Sequence, residues 1–340
     1  MPNRDKPHDK LFKLALEDPK DAAIELRAVL PPALATHLDL EGLERQPDTF
    51  LDGAFKNSST DFLFTTRYRG REALLYVLFE HKSRPHRFTV LQLLRYMLNI
   101  WEKCLTQKPP PTHLPVIIPI IVYHCDRGRS PPTNFHALFD PSLIADPALA
   151  RFTPSFEARL DDIGRLSDAE LRSRGLGPVA TLGFVFLRDA RRRGRILDAL
   201  LHWADHFRAL RGISEGPRAT NQLFSYLFTV APKLDIDDLR KRVHQAIPES
   251  EELVMTLAQK LRQEGRQEGE MRGIDKGCRN VLSRLLELKF GPLDADDFGA
   301  DQCCRQVDPR PLHRAGAHRN ERPRSPSRLS VAGQDPRNSS

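Results

Sequence analysis

The stretch "LLYVLFEHKS" (residues 74–83) decides how the first part of the chain folds. Its β-branched and aromatic residues predict a buried strand, yet the run ends in Glu80, His81 and Lys82. Side chains alternate between the two faces of a strand, so we expect Glu80 and Lys82 to point the same way and His81 to point the other way. An acid and a lysine side by side at a strand end are suited to hydrolytic chemistry.

A second carboxylate precedes this stretch in "STDFLF" (residues 59–64), where Asp61 opens an apolar run. Burying a carboxylate there is costly unless it has a partner. The turn signal "YRGRE" around Gly70 predicts a hairpin, and about ten residues lead out to it and ten lead back. Asp61 and Glu80 should therefore lie near the same end of the two strands, where their oxygens suit a hard divalent cation.

The segment "FTVLQLLRYMLNIWEKCL" (residues 88–105) predicts a helix after the strand. Four apolar residues share one helical face at the expected spacing: Leu91, Leu94, Leu98 and Trp101. Gln92 and Tyr96 are four residues apart and therefore lie on a common face. That face is placed to look back over the carboxylates, where Gln92 could bind phosphate or water.

The order of elements predicts an α/β fold in which a mixed sheet is flanked by helices. Residues 8–30 read as two helices with a break near Asp18 and Pro19, and "VIIPIIVYH" (residues 116–124) reads as a buried strand. We expect a core over residues 1–130 and a mostly helical second part over 131–260. A glycine-repeat charged helix over 261–293 and a disordered basic tail over 294–340 complete the predicted organisation.

The glycine-repeat segment contains glycines at every fourth position: Gly265, Gly269, Gly273 and Gly277. On a helix this period places them on one face, which allows close approach of a second helix. Each glycine also costs a helix interior about 1 kcal/mol. Two interpretations stay open, a charged linker and a helix contact between subunits of a homo-oligomer.

Bulk charge is weak evidence for nucleic-acid binding in this chain. The formal net charge is +7, but residues 303–340 carry eight arginines and three acids, which leaves residues 1–302 with a net charge of +2. The five cysteines match no zinc or disulfide framework. We find neither an apolar run of membrane length nor a signal-peptide core, and expect a cytoplasmic protein with no membrane contact.

Several separated blocks carry a family resemblance, in the order "PHDKLFK" (7–13), "STDFLF" (59–64), "YVLFEHKS" (76–83), "LQLLRYMLNIWE" (91–102), "LPVIIPIIVYH" (114–124) and "FEARLDDIGRLSD" (156–168). Together they resemble the Rpn family of recombination-promoting nucleases, also described as putative transposases of the YhgA-like type. The spacing Asp…Glu-X-Lys followed by a glutamine helix is similar to the wider PD-(D/E)XK nuclease superfamily. The resemblance covers roughly residues 5–290.

The resemblance implies a restriction-endonuclease-like core followed by a mostly helical C-terminal part, and Mg²⁺-dependent cleavage of DNA. It implies that Asp61 and Glu80 are the metal ligands, that Lys82 is the catalytic lysine and that Gln92 is the helix glutamine of the active site. His8 and Asp9 match the opening block of the family without an assigned role.

Two alternatives to a DNA endonuclease remain open from the sequence. The first is a catalytically inactive DNA-binding or oligomerising relative, because "YHCDRGRSPP" has Cys125 where the family usually has glycine and the tail after Leu293 departs from the usual ending. The second is an enzyme that cleaves another phosphodiester, such as RNA.

Overall fold

The computed structural model describes residues 7–47, 62–82, 86–124 and 130–290, with the backbone alone for residues 71–82 and Phe290. Three N-terminal helices open the described chain: α1 (Pro7–Ala15), α2 (Pro19–Val29) and α3 (Pro32–Ala35). The Asp18 side chain accepts a hydrogen bond from the Lys20 backbone N–H at 2.9 Å and so caps α2. The predicted break between the first two helices is therefore confirmed.

A five-stranded mixed sheet forms the centre of the first part. Its strands follow each other in chain order: β1 (Glu44–Arg45), β2 (Phe62–Tyr68), β3 (Arg71–Lys82), β4 (Val116–Tyr123) and β5 (Arg159–Asp162). The first three strands pair antiparallel, whereas β3, β4 and β5 pair parallel. Arg69 and Gly70, at φ +53° and +66°, form the hairpin turn that the sequence predicts.

Helix α4 (Thr89–Leu105) connects β3 to the parallel strand β4 and covers one face of the sheet. The predicted helix is confirmed, but the face named from the sequence is not the buried one, because Leu91 and Leu98 are exposed. The buried face lies one residue over and includes Val90, Leu93 and Met97. Leu93 packs against Ile121 and Tyr123 of β4. Contact with the sheet therefore determines which face of α4 is buried, and the number of apolar residues on a face does not.

Nine further helices follow in the described chain: α5 (Pro141–Ile144), α6 (Pro147–Ala150), α7 (Asp168–Ser173), α8 (Pro178–Asp189), α9 (Arg193–His202), α10 (Ala204–Leu210), α11 (Gly216–Val230), α12 (Ile236–Ala246) and α13 (Glu251–Phe290). The described chain after β4 is therefore mostly helical, with β5 as its strand. Phe12 of α1, Val122 of β4 and Phe186 of α8 belong to one hydrophobic core. This core therefore contains residues from both sides of residue 130.

Helix α13 contains all four glycines of the repeat, so the segment is helical in the described structure. A first compact unit ends at Met271, within this helix, and a second begins at Arg272. The predicted tail over residues 294–340 lies outside the described residues. No described helix has both the length and the apolar character needed to cross a membrane.

Gly183 of α8 lies close to Ala15 of α1. A Cβ built on Gly183 would lie 2.7 Å from the Cβ of Ala15, so we expect Gly183→Ala to destabilise the protein by about 1–3 kcal/mol through overpacking. Gly194→Ala in α9 is the matched control, because nothing lies within 4 Å of that position and alanine favours a helix by about 1 kcal/mol. Equal free energies of unfolding for the two variants, measured by urea denaturation, would contradict the close α1–α8 contact.

Candidate active site

The register of the sheet aligns three strand ends in one row. Lys82 of β3 is the Cα partner of Tyr123 in β4, and Tyr123 is the partner of Asp162 in β5. Glu80 is the partner of Ile121. Since Ile121 and Tyr123 pack against Leu93 of α4, positions 80 and 82 lie opposite residues that face this helix. Positions 80 and 82 thus lie at the carboxyl end of β3, beside the part of β4 that packs against α4.

Asp61 lies outside the described residues. It directly precedes Phe62, whose Cα partner across the hairpin is Phe79, and Phe79 directly precedes Glu80. The antiparallel pairing from which the sequence placed the two carboxylates near each other is therefore present in the described strands. The placement of Asp61 itself, and of the Glu80 and Lys82 side chains, stays a prediction.

Gln92 lies in the first turn of α4, directly after the end of β3 along the chain. Its Oε1 atom is buried and has no hydrogen-bond partner among the described residues. A buried amide oxygen without a partner is costly, and such a group in a native protein calls for an explanation such as water or an ion. A buried acceptor without a partner in the first turn of α4 is consistent with the predicted role of Gln92.

Asp162 is a candidate residue that the sequence analysis missed. Its Oδ2 accepts a hydrogen bond from the Ser130 hydroxyl at 3.1 Å and lies 3.1 Å from Arg165 Nε, while its Oδ1 is buried without a hydrogen-bond partner among the described residues. Burial raises the pKa of Asp162 above its ordinary value, although Ser130 and Arg165 oppose the shift. Adjacent strands lie about 4.8 Å apart, so Asp162 is two strands, or roughly 10 Å, from Lys82.

A signal for Asp162 was present in the sequence, since Phe156, Ala158 and Leu160 alternate with charged residues, as in a strand, and two acids follow them. The pairing of β5 with β4 could not be read from this pattern, because parallel strands are joined by long connections of variable length. A partly buried carboxylate with a perturbed pKa at the end of a parallel sheet has the properties of a functional residue.

A histidine cluster, formed by His8, His124, Tyr226 and Arg191, lies beside the end of β4. The Arg191 guanidinium donates to His8 Nε2. Because arginine is only a donor, His8 carries its proton on Nδ1 and donates it to the Tyr226 hydroxyl, 2.8 Å away. The His8 and His124 rings are 5.1 Å apart, and His124 Nδ1–H donates to the Leu187 carbonyl at 2.9 Å.

These contacts give His8 a structural setting that the sequence did not provide. They join the start of α1 to α11, through Tyr226, and to the residue that follows β4, through His124. His124 reads in the sequence as a histidine with no partner in view, because its neighbours come from segments more than 60 residues away along the chain.

The basic run "RDARRRGR" (residues 188–195) is mainly paired with acids. Arg188 is 3% exposed and contacts Asp168 and Asp189, so it is not part of the solvent-exposed face that Arg193 and Arg195 share. Arg193 lies 3.2 Å from Asp238, and Arg195 lies 3.2 Å from Asp189. The run therefore contributes less uncompensated charge to the surface than its composition indicates.

The side chains that the structure describes contain no group of three or more His, Cys, Asp or Glu arranged to hold a metal ion. Asp61 and the Glu80 side chain lie outside that set, so the predicted ligand pair is untested by it. The donor chemistry itself fits Mg²⁺, which is bound through one or two carboxylates, with water and phosphate oxygens completing its shell.

A family profile described as "Putative transposase, YhgA-like" matches residues 6–216. The chain belongs to this family. The matched region begins just before α1 and ends at the start of α11, so it includes the whole sheet, α4 and most of the histidine cluster. The resemblance on which the sequence analysis relied is confirmed.

Curated relatives give the same picture. The chain is 26% identical to "Recombination-promoting nuclease RpnA" of Escherichia coli (strain K12) over 75% of this chain and 83% of that protein. It is 25% identical to "Recombination-promoting nuclease RpnD" of Escherichia coli O157:H7 over 75% of this chain and 94% of that protein. It is also 26% identical to "Inactive recombination-promoting nuclease-like protein RpnE" of Escherichia coli (strain K12), over 84% and 91% respectively. No solved structure matches the chain.

Proposed function

We propose that this member of the YhgA-like family is a Mg²⁺-dependent DNA endonuclease of the PD-(D/E)XK type, acting in recombination or on mobile-element DNA. The observation that carries the proposal is the register of β2, β3 and β4, from which we expect Asp61, Glu80 and Lys82 at one end of the sheet beside α4. The names of two relatives, recombination-promoting nucleases RpnA and RpnD, support the same reaction class.

Asp61 and Glu80 would hold the cation. When bound, Mg²⁺ supplies Lewis-acid stabilisation of the charge that develops on the phosphate and lowers the pKa of water. The chain's own groups would do the rest. Lys82 would orient the attacking water, help to remove its proton and stabilise negative charge on the phosphate.

Gln92 would position the same water or a non-bridging phosphate oxygen from the other side. Its amide offers both donors and an acceptor, and its buried Oε1 has no competing hydrogen bond among the described residues. The net reaction adds water across one phosphodiester bond and leaves one phosphate and one hydroxyl end. By resemblance to the family, these are a 5′-phosphate and a 3′-hydroxyl.

Plasmid cleavage by the purified protein is the test of this proposal. We expect supercoiled DNA to be cut with Mg²⁺ present, and the cutting to stop with chelator or with Asp61→Asn. The asparagine keeps the size of the side chain but removes the charge that holds a hard cation. Asp39→Asn is the matched control, since Asp39 caps a surface turn by accepting from the Gly42 N–H. Cleavage that survives both chelator and Asp61→Asn would refute the assignment.

A second candidate function is a DNA-binding relative that no longer cleaves. It is favoured by the similarity to a relative that is itself named inactive, and by the altered segment around Cys125, which lies outside the described residues. Under this alternative, the unmutated protein retards DNA in a gel but leaves plasmids intact at every Mg²⁺ concentration. The same cleavage assay with RNA as the substrate tests the remaining alternative, cleavage of another phosphodiester.

A further inference from the structure

An apolar row follows the second half of α13. Its members recur at alternating spacings of three and four residues: Met271, Ile274, Cys278, Val281, Leu285 and Leu288. This is the a/d spacing of a heptad, with a at 271, 278 and 285 and d at 274, 281 and 288. We call these six residues the seam. Its five large apolar side chains are between 58% and 79% exposed.

The seam begins where the compact unit ends. Val254, near the start of α13, is buried in the main core, whereas the unit boundary falls at Met271. Upstream heptad positions are polar, with Lys260, Glu264 and Gln267 in the places of apolar residues. A contiguous row of exposed large apolar side chains marks an interaction surface. None of the six seam residues belongs to a hydrophobic core cluster of the described residues.

The charges beside the seam distinguish between two ways of pairing it with a second copy. The flanking g and e positions carry Glu270, Asp275, Arg284 and Lys289. In a parallel pair each g residue faces the e residue five positions later in the other helix. That arrangement sets Glu270 against Asp275 and Arg284 against Lys289, so both contacts are repulsive.

In an antiparallel pair g faces g and e faces e. With Met271 opposite Leu288 and Cys278 opposite Val281, all six seam positions are matched a to d by one two-fold axis. The same register sets Glu270 against Arg284 and Asp275 against Lys289. All the charged flanking contacts are then attractive, and each occurs twice because of the symmetry.

We infer that α13 forms an antiparallel coiled coil with α13 of a second copy of this chain, through the seam over residues 271–288. The paired length is about 27 Å at a rise of 1.5 Å per residue. The occupant is a second copy because the seam and its charges are complementary to themselves in one register. The glycine row does not coincide with the seam: Gly269 and Gly273 occupy the outer positions f and c, and Gly277 occupies a flanking g position.

Charge reversal on the full-length protein tests both the partner and the orientation. We expect a homodimer by sedimentation, and we expect Glu270→Lys to weaken it about tenfold, because two attractive pairs become repulsive. Arg284→Glu should weaken it similarly, and the two changes together should restore it. Glu287→Lys is the matched control, an equal charge change at a c position on the same helix.

Each other outcome overturns the proposal. A parallel pair would be strengthened by Glu270→Lys, since the introduced lysine would then face Asp275. A protein that is monomeric at tens of micromolar has no such contact with itself. Val281→Lys should abolish the dimer, whereas Asn280→Lys should leave it intact. If the two variants dimerise equally well, the seam is not part of the interface.

A disulfide cross-link formed by oxidation shows directly whether the two α13 helices are parallel or antiparallel. The antiparallel register places position 281 in the same layer as Cys278 of the second copy. In Val281→Cys protein we therefore expect mass spectrometry to find a peptide linking 278 to 281. A peptide linking 278 to 278 in the unmutated protein would instead establish the parallel arrangement. Neither readout depends on nuclease activity, so this proposal and the proposed function fail separately.

Discussion

Replacing Lys82 by alanine is expected to lower the rate of plasmid cleavage by about 100- to 1,000-fold, the usual cost of removing one group that stabilises a charged transition state. Lys82 lies at the last position of β3, in register with Tyr123 of β4. Single-turnover cleavage in saturating Mg²⁺ measures the effect, because it separates the chemical step from product release. Lys20→Ala, a change at an exposed position of α2, is the control that keeps full activity.

A further substitution separates the two roles proposed for Lys82. Arginine keeps the positive charge but is always protonated, so it cannot accept a proton. We expect Lys82→Arg to regain part of the rate if charge stabilisation dominates, and to be as slow as alanine if proton removal dominates. Full activity of the alanine variant, with DNA binding unchanged, would exclude Lys82 from the reaction.

Replacing Arg174 by methionine is expected to destabilise the protein by about 3–5 kcal/mol, the cost of breaking a buried ion pair from one side. The Arg174 guanidinium lies 2.6 Å from both Glu25 and Asp161, and the side chains are 10%, 0% and 4% exposed in that order. The triad joins α2 to β5 and to the segment after α7, so its loss leaves two carboxylates buried together. Urea unfolding at neutral pH measures the effect.

The loss should depend on pH in a defined direction. Burial, followed by repulsion from Asp161, raises the pKa of Glu25 well above its ordinary 4.5, and Arg174 opposes that shift. A carboxyl with a raised pKa binds more protons when folded, so stability falls as the pH rises from 4.5 through the folded pKa. Removing Arg174 enlarges this fall. The loss of unfolding free energy caused by Arg174→Met should therefore be largest at neutral pH and should become smaller as the pH approaches 4.5.

Arg218→Met provides the comparison for this experiment. Arg218 also lies between two acids, Glu17 at 3.1 Å and Glu215 at 3.2 Å, but its side chain is 51% exposed. Exposed pairs contribute at most about 1 kcal/mol because water screens them. Two results would contradict the buried triad. One is a loss of unfolding free energy for Arg174→Met that is no larger than the loss for Arg218→Met, and the other is a loss that increases at acidic pH.

The sequence alone determined the local elements and the reaction class to be tested. The spacing of apolar residues and the turn signal at Gly70 predicted the order of strand, hairpin turn, helix and strand. Both signals are properties of neighbouring residues and can be read along the chain. Asp61, Glu80, Lys82 and Gln92 could be proposed as site residues because they lie within one continuous stretch of the chain, from residue 61 to residue 92. The heptad of α13 is equally local and could have been predicted in advance, but the glycine period beside it dominated the interpretation of that segment.

The tertiary structure alone decided which distant residues meet. Arg174 pairs with Glu25 from 149 positions away, and His8 with Tyr226 from 218 positions away. Asp162 lies in register with Lys82, through Tyr123, only because β5 pairs with β4. The buried face of α4 also depended on the sheet beneath it. Contacts of this kind depend on how whole elements pack, and a pattern read along the chain carries no information on that packing.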